Sequence, residues 1–346
     1  MKADLLSTNV RNLPVWKKMQ NNRDYLFDNY KVFLIFLVVV GHFIGPSVGC
    51  NNFLRILKWI IVSFHMPAFI FISGYFSKKE LPFLKIVQRL AVPYIAYEII
   101  YYLWYTFITH KETGLHLLKP KFTLWYLLAL FLWRIVTPYV KKIPYHMILA
   151  ILAGIIIGFS NMEDNFLTIP RALVYFPFYL AGTNFDRNTL TRWRTSPKVK
   201  KFLILGIIAI LLFLTYVGLQ RIAPMQVFYG RYNYISMKQG MMEGILWRIL
   251  LYVIGFFMTF AFMILMPEKQ LPFSYIGTRT MAIYLFHGLT YTFLEQCTKV
   301  LNNRNRFTET ILLLILCFAL TWFFSLKPFS SFTNLFSNFQ IDRNKK

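Results

Sequence analysis

Long apolar runs alternate with short polar segments along all 346 residues of the chain. About 20 consecutive apolar residues in an α-helix cross the roughly 30 Å of a bilayer's hydrocarbon core, since each residue adds about 1.5 Å. The runs that satisfy this length lie near residues 30–49, 54–76, 88–109, 122–140, 144–160, 166–184, 201–220, 244–266, 273–297 and 309–326. The pattern therefore predicts an all-α, polytopic membrane protein with about ten transmembrane helices.

The polar stretches at the two ends of the chain divide it into three parts. Residues 1–29 are predicted to be a cytoplasmic or interfacial segment, residues 30–326 a ten-helix membrane domain, and residues 327–346 a cytoplasmic tail. The first segment has no apolar core of the kind that marks a removable signal peptide. We therefore expect the first span to be retained in the mature protein.

Composition and charge support this class. Hydrophobic residues make up 57% of the chain and charged residues only 15%, which excludes an ordinary soluble domain. The net charge is +24, and Lys and Arg are concentrated in the loops on the same side of the membrane as the N-terminus, above all in DRNTLTRWRTSPKVKK. The loop NMEDN, on the other side of the membrane, has no Lys or Arg. By the positive-inside rule both termini are predicted to be cytoplasmic. The basic inner surface suits anionic lipids or a phosphate-rich cytosolic donor, and no nucleic-acid partner is expected.

Ionisable residues inside the spans are the first functional candidates, because each costs roughly 2.5 to 3.5 kcal/mol at a helix centre. His42 is predicted about 18 Å from the inner end of the first span, and His65, His287 and Glu98 fall at similar depth on three other spans. A single buried histidine is as readily a packing residue as a ligand. Three at matched depth favour a shared site, although depth leaves the rotation of each helix open.

Charged residues near the ends of the spans give further candidates. Arg171, flanked by prolines near the outer face, either extends to water or binds an anionic or hydroxyl-rich acceptor. Arg89 begins the third apolar run with Lys85 nearby, and Asp28 and Lys31 precede the first. The lysines suit simple positive-inside anchors, whereas the Arg89 guanidinium is suited to a phosphate from the cytosol.

Several segments, in order, carry a resemblance to a known family: FDNYKVFLIFLVVVGH, FHMPAFIFISGYFSKK, RLAVPY, LWYLLALFLWR, PRALVYFPFYLAG and FSYIGTRTMAIYLFHG. From about Tyr25 to Leu326 the chain resembles the membrane acyltransferase 3 family, especially its fucose 4-O-acetylase-like branch. The resemblance implies ten transmembrane helices and transfer of an acyl group, often acetyl, from cytosolic acyl-CoA to a hydroxyl on a glycan or lipid-linked sugar. The resemblance also implies that His42 is catalytic. It is incomplete at the family's arginine pair, where only Arg89 matches and the neighbouring basic residue is Lys85.

These residues suggest a mechanism without a metal. His42 is the expected general base, with Glu98 or Asp28 as the carboxylate that orients it. His65 or His287 is expected to donate to the developing oxyanion or to shape the acceptor pocket.

The remaining candidates concern the two substrates and the membrane. Arg89, Lys85 and Lys31 are predicted to bind the phosphates of the co-substrate acyl-CoA, which is expected to be acetyl-CoA. Arg171 is predicted to bind the acceptor. The expected location is the plasma membrane, in contact with its lipids. The alternative is a transporter or flippase for a glycan or lipid-linked intermediate, in which intramembrane histidines bind cargo or relay protons.

Overall fold

The computed structural model describes residues 23–110, 112–162 and 166–337, and these residues contain helices and loops without a β-strand. The helices are α1 (Tyr25–Phe43), α2 (Asn52–Tyr75), α3 (Phe83–Ile86), α4 (Val92–Leu103), α5 (Trp125–Val140), α6 (His146–Ile156), α7 (Ile169–Asn184), α8 (Arg187–Thr195), α9 (Pro197–Gln220), α10 (Met241–Leu265), α11 (Thr280–Cys297), α12 (Phe307–Phe324) and α13 (Lys327–Ser337). Residues 1–22 and 338–346 of the two predicted terminal segments lie outside the described residues.

Among the described residues, six helical segments are long and apolar enough to cross a membrane, which makes the chain a multi-pass membrane protein. They are Tyr25–Phe43, Asn52–Tyr75, Phe122–Val140, Pro197–Gln220, Met241–Leu265 and Phe307–Phe324. The other four predicted spans contain α4, α6, α7 and α11, which are shorter or less apolar. The total of ten spans and the cytoplasmic position of both termini therefore stay predictions.

The first two helices begin earlier than the apolar pattern predicts, because polar caps precede them. The side chains of Asp24 and Asn51 accept hydrogen bonds from the first turns of α1 and α2, at 3.2 and 3.1 Å. His42 consequently lies in the last turn of α1, about 26 Å along the helix from Tyr25 rather than the 18 Å expected from the sequence. Lys58 lies six residues inside α2.

Helices α2 and α7 pack closely against each other, and glycines at their contact explain why. A Cβ atom at Gly182 would collide with the carbonyl of Phe71 on α2, and one at Gly74 with the carbonyl of Tyr179 on α7. Small residues on both helices allow the backbones to meet, as is common in membranes. Since α5 also packs on α7, the three helices α2, α5 and α7 form one group.

Helix α1 joins this group to the C-terminal helices. It packs against α2 and also against α10, α11 and α12. The Tyr30 hydroxyl donates to the carbonyl of Thr259 on α10 at 3.0 Å. The backbone of Asp28 lies so close to Gly277 that a side chain there would not fit. This packing brings the end of α1, with His42, to the helix that carries His287.

Candidate active site

A cavity of about 300 Å³ opens where α1, α2, α5 and α7 meet. We name it the histidine cavity, and the residues that define it are His42, Lys58, His65, Trp125, Arg171 and Tyr175. Phe122, Phe228, Tyr229, Arg231 and Tyr232 complete most of its wall. The cavity thus combines imidazoles, cations and aromatic rings, and it includes two of the three histidines that the sequence places inside the membrane.

His42 projects into the cavity from the last turn of α1 and is half-buried. Its ring centroid lies 5.4 Å from that of His287 and 4.9 Å from that of Phe122. Tyr291, on the same helix as His287, lies 6.0 Å away and stacks on Phe122. The structure therefore brings two predicted histidines together from helices far apart in sequence, and it places aromatic rings around the one that faces the cavity.

The other two histidines have a defined hydrogen-bonding state. Nδ1 of His65 lies 2.6 Å from the carbonyl of Ile61, and Nδ1 of His287 lies 2.9 Å from that of Ile283. A carbonyl only accepts, so each Nδ1 carries the proton, and in the neutral ring Nε2 is an acceptor. Nε2 of His287 is buried without a hydrogen-bond partner among the described residues. This nitrogen is therefore a free acceptor next to the His42 ring, behind the cavity wall.

Three cations line the same cavity from three separate segments: Lys58 on α2, Arg171 on α7 and Arg231 after residues 225–228. The Arg171 guanidinium lies over the Trp125 ring at 4.7 Å, an arrangement that orients its planar donors. Arg171 therefore lines the same cavity as His42, and its predicted contact with the acceptor stays a prediction. Sequence reasoning missed Lys58 and Arg231, although a charge six residues inside an apolar helix was a usable signal for Lys58.

Glu98 is fully buried, but its contacts are with Lys121 rather than with a histidine. Its Oε1 accepts from the backbone N–H of Lys121 at 2.7 Å, and its Oε2 lies 3.5 Å from the Lys121 ammonium. The next residue is Phe122, whose φ of 41° is in the left-handed region. Glu98 therefore fixes the segment that presents the Phe122 ring to His42, and an orienting contact with the imidazole itself is not observed within the described residues.

The remaining predicted residues lie at the opposite end of the helices. Asp28 forms ion pairs with Arg23 and, at 2.9 Å, with Lys31. Fourteen residues of α1, about 21 Å, separate Asp28 from His42, so Asp28 cannot orient that ring. Lys85 in α3 and Arg89 three residues after that helix are exposed and are available to solutes at that end.

A second cavity, of about 270 Å³, lies at this opposite end of the same helix group. We name it the basic cavity, and the residues that define it are Lys78, Glu80, Arg134, Thr137, Lys141 and Tyr179. Phe83 and Ile86 of α3 form one wall, on the segment that also carries the exposed Lys85. Helices α2, α5 and α7 therefore connect two cavities of different chemistry.

Comparison with known proteins assigns the family at the level of the whole membrane domain. No curated protein and no solved structure matches the chain. The family model described as an acyltransferase domain matches residues 24–326, which include both cavities and nearly all of the described helices. The match confirms the resemblance noted in the sequence, without distinguishing a branch. By this match the chain belongs to the acyltransferase 3 family.

Proposed function

We propose that the protein is a plasma-membrane O-acetyltransferase that moves the acetyl group of cytosolic acetyl-CoA to a hydroxyl of a cell-surface glycan or lipid-linked sugar. The fucose 4-O-acetylase-like branch, which the sequence resembles, fits this reaction. The observation that carries the proposal is the position of His42, which faces the histidine cavity with the His287 ring 5.4 Å away. An imidazole is the usual general base at neutral pH, and the family match supplies the acyl-transfer chemistry.

His42 is the proposed general base of the reaction. It removes the proton of the acceptor hydroxyl as that oxygen attacks the thioester carbonyl, so that a C–O bond forms, the C–S bond breaks and the proton passes to the leaving thiolate. Because Nδ1 of His65 and of His287 donates to a helix carbonyl, their Nε2 atoms are acceptors in the neutral state. We therefore assign the stabilisation of the oxyanion to the cations of the cavity rather than to these two rings.

The cavity wall favours a sugar acceptor. Trp125, Tyr175 and Tyr232 offer aromatic faces beside the Arg171 guanidinium, and such an arrangement suits a ring that is apolar on one face and hydroxylated at its edge. Arg171 is the proposed acceptor-binding residue. Its place against Trp125 limits the number of positions the guanidinium can adopt, which lowers the entropy cost of binding.

The donor is proposed to enter from the opposite end of the helices. Lys85 and Arg89 are exposed there, and Lys31 of α1 pairs with Asp28 and lies over the Phe76 ring, one residue after the end of α2. Their charges attract a phosphate-bearing molecule from solution. We assign to them the first encounter with acyl-CoA.

The test is His42→Ala in purified protein of matched yield, incubated with labelled acetyl-CoA and a glycan extract. Loss of a general base lowers the rate by about 10² to 10⁴-fold, and we expect a fall of at least 10²-fold. His116→Ala, at an exposed loop position, is the control and should leave the rate unchanged. Undiminished transfer by the His42 variant would remove this residue from the mechanism.

One observation favours a second candidate, a carrier for a glycan or lipid-linked intermediate. The two cavities lie between the same helices at opposite ends, as a path through the membrane requires. A carrier leaves acetyl-CoA intact, whereas the enzyme releases free thiol. Thiol release that depends on an added glycan, measured with a thiol-reactive dye, separates the two functions.

A further inference from the structure

Lys58 places an ammonium group inside the apolar part of α2. It lies six residues after the first residue of the helix, which corresponds to about 9 Å along the axis, and apolar residues flank it on both sides. A charge at such a position costs free energy unless other charged or polar groups contact it. The side chain is half-buried, so bulk water compensates only part of this cost. The position of Lys58 therefore calls for a partner of opposite charge.

The ammonium group of Lys58 lies beside the end of α1 that carries His42. A Cβ atom at Gly45, three residues after His42, would lie 2.8 Å from Nζ of Lys58. The charge of Lys58 acts electrostatically on both His42 and His65. A lysine near a helix end can extend its ammonium to the membrane surface, but Lys58 lines the histidine cavity. Its charge is therefore directed to the space in which the proposed reaction takes place.

No carboxylate pairs with this ammonium within residues 23–110, 112–162 and 166–337, where Lys58 forms no ion pair within 4 Å. Glu295 attracts Lys58 from a greater distance. The Glu295 carboxylate accepts a hydrogen bond from the Tyr291 hydroxyl at 2.7 Å and does not line the cavity. The described lining of the cavity contains neither Asp nor Glu. The three N–H donors of Lys58 are therefore available to a molecule that enters the cavity.

We propose that Lys58 binds an anionic group of the acceptor, a carboxylate or a phosphate, so that the acceptor is an acidic sugar rather than a neutral one. This inference rests on the proposed function and narrows the class of its acceptor. An ammonium that faces a cavity without a counter-ion binds carboxylate and phosphate oxygens through charge-assisted hydrogen bonds. The oxyanion of the reaction is then stabilised by the guanidinium groups that line the same cavity.

The spacing of Lys58 and His42 suits a hydroxyl and an anionic group on one sugar. The ammonium lies beside Gly45, and three residues of helix separate Gly45 from His42, which corresponds to roughly 5 Å. This is similar to the width of a sugar ring. A sugar whose anionic group contacts Lys58 therefore brings a hydroxyl from the far side of its ring to the His42 imidazole. A neutral sugar of the same shape leaves the ammonium without this contact.

Acetyl transfer to fractions of the glycan extract tests the class of the acceptor. The extract is divided on an anion-exchange column, and the wild-type protein is assayed with labelled acetyl-CoA on the retained and the unretained glycans. We expect label in the retained glycans, and at least a tenfold loss of transfer after their carboxyl groups are reduced or their phosphates are removed. The treatment that abolishes transfer identifies the anionic group. Label confined to the unretained glycans, or transfer that survives both treatments, would overturn the proposal.

Lys58→Met, which keeps an unbranched side chain and removes the charge, tests the residue. With the retained glycans we expect the acceptor KM to rise at least tenfold, while kcat stays within about threefold and the KM for acetyl-CoA is unchanged. With the same glycans after removal of their charge, the variant and the wild type should agree within about twofold. Lys299→Met is the control, because Lys299 is exposed and does not line the cavity.

A role of Lys58 at the oxyanion predicts a different kinetic signature. An interaction made only in the transition state changes kcat and leaves KM as it is. A fall in kcat at unchanged acceptor KM, with charged and neutral glycans alike, would therefore overturn the assignment. Wild-type kinetics of Lys58→Met with the retained glycans would do so as well.

The unfolding midpoint of the same variant separates binding from folding. Because Lys58 has no ion-pair partner among the described residues, an apolar side chain in its place is expected to leave the midpoint unchanged or to raise it. A lower midpoint would assign Lys58 a structural role and contradict the argument. If the wild-type protein transfers acetyl to neutral glycans, only this inference fails. If the wild-type protein consumes no acetyl-CoA with any fraction of the extract, the proposed function fails with it.

Discussion

The buried pair of Glu98 and Lys121 allows one prediction to be worked through quantitatively. Glu98 is 0% exposed and Lys121 8% exposed, and their charged atoms lie 3.5 Å apart. At an effective dielectric constant of 20 this separation gives about 5 kcal/mol of Coulomb attraction, most of which offsets the cost of removing both charges from water. The backbone N–H of Lys121 adds a hydrogen bond to the carboxylate at 2.7 Å.

Lys121→Met removes one partner and leaves a buried carboxylate without its cation. The expected loss is about 3 to 5 kcal/mol of unfolding free energy. Glu98→Gln keeps an acceptor for the N–H of Lys121 and should cost less. The double variant removes both charges, so we expect it to be more stable than Lys121→Met alone by at least 1 kcal/mol.

The assay is reversible unfolding in mixed micelles of the wild type, both single variants and the double variant, with acetyl transfer measured on the same samples. Because Glu98 and Lys121 hold the segment that presents Phe122 to His42 at 4.9 Å, transfer should fall more steeply than stability in Lys121→Met. Purely additive changes in free energy, with a coupling below about 0.5 kcal/mol, would refute the reasoning.

Two further predictions follow from packing and charge. Gly182→Ala should lower the free energy of unfolding by about 1 to 3 kcal/mol, because the added methyl on α7 meets the Phe71 carbonyl on α2. Gly49→Ala is the control and should be neutral, because its Cβ meets no atom within 4 Å. Equal unfolding midpoints of the two variants would contradict this. The hydrogen bond from Arg187 holds the pKa of Glu268 below its usual 4.5, so the stability from this pair is complete above pH 4.5 and is lost as the pH falls through the lowered pKa. Glu268→Gln should therefore flatten the pH dependence of the unfolding midpoint below pH 4.5, and an unchanged slope would argue against it.

The membrane class and the helices of the first half of the fold follow from local sequence, because hydropathy and capping residues act within a few residues. The apolar run near 54–76 corresponds to α2, which covers Asn52–Tyr75. The run near 30–49 is less exact, since α1 begins at Tyr25 under the Asp24 cap and ends at Phe43. The family resemblance was also readable from the motifs and is confirmed by the match to residues 24–326.

Depth in the bilayer could be estimated from the sequence, but the direction in which each side chain faces could not. His42 and His287 were candidates because an imidazole inside an apolar run is costly, yet only the packing of α1 on α11 brings their rings together. The same packing separates Asp28 from His42 and gives Glu98 a partner 23 residues away, Lys121.

The basic cavity depends on tertiary structure even more strongly. Its cations come from the loop after α2, from within α5 and from the residue after α5, and no local pattern connects these positions. Hydropathy and periodicity are properties of one helix at a time and fix where a helix crosses the membrane. The rotation of that helix, and with it the identity of the residues that share a cavity, is set by contacts between helices distant in sequence, such as the close approach of Gly74 and Gly182.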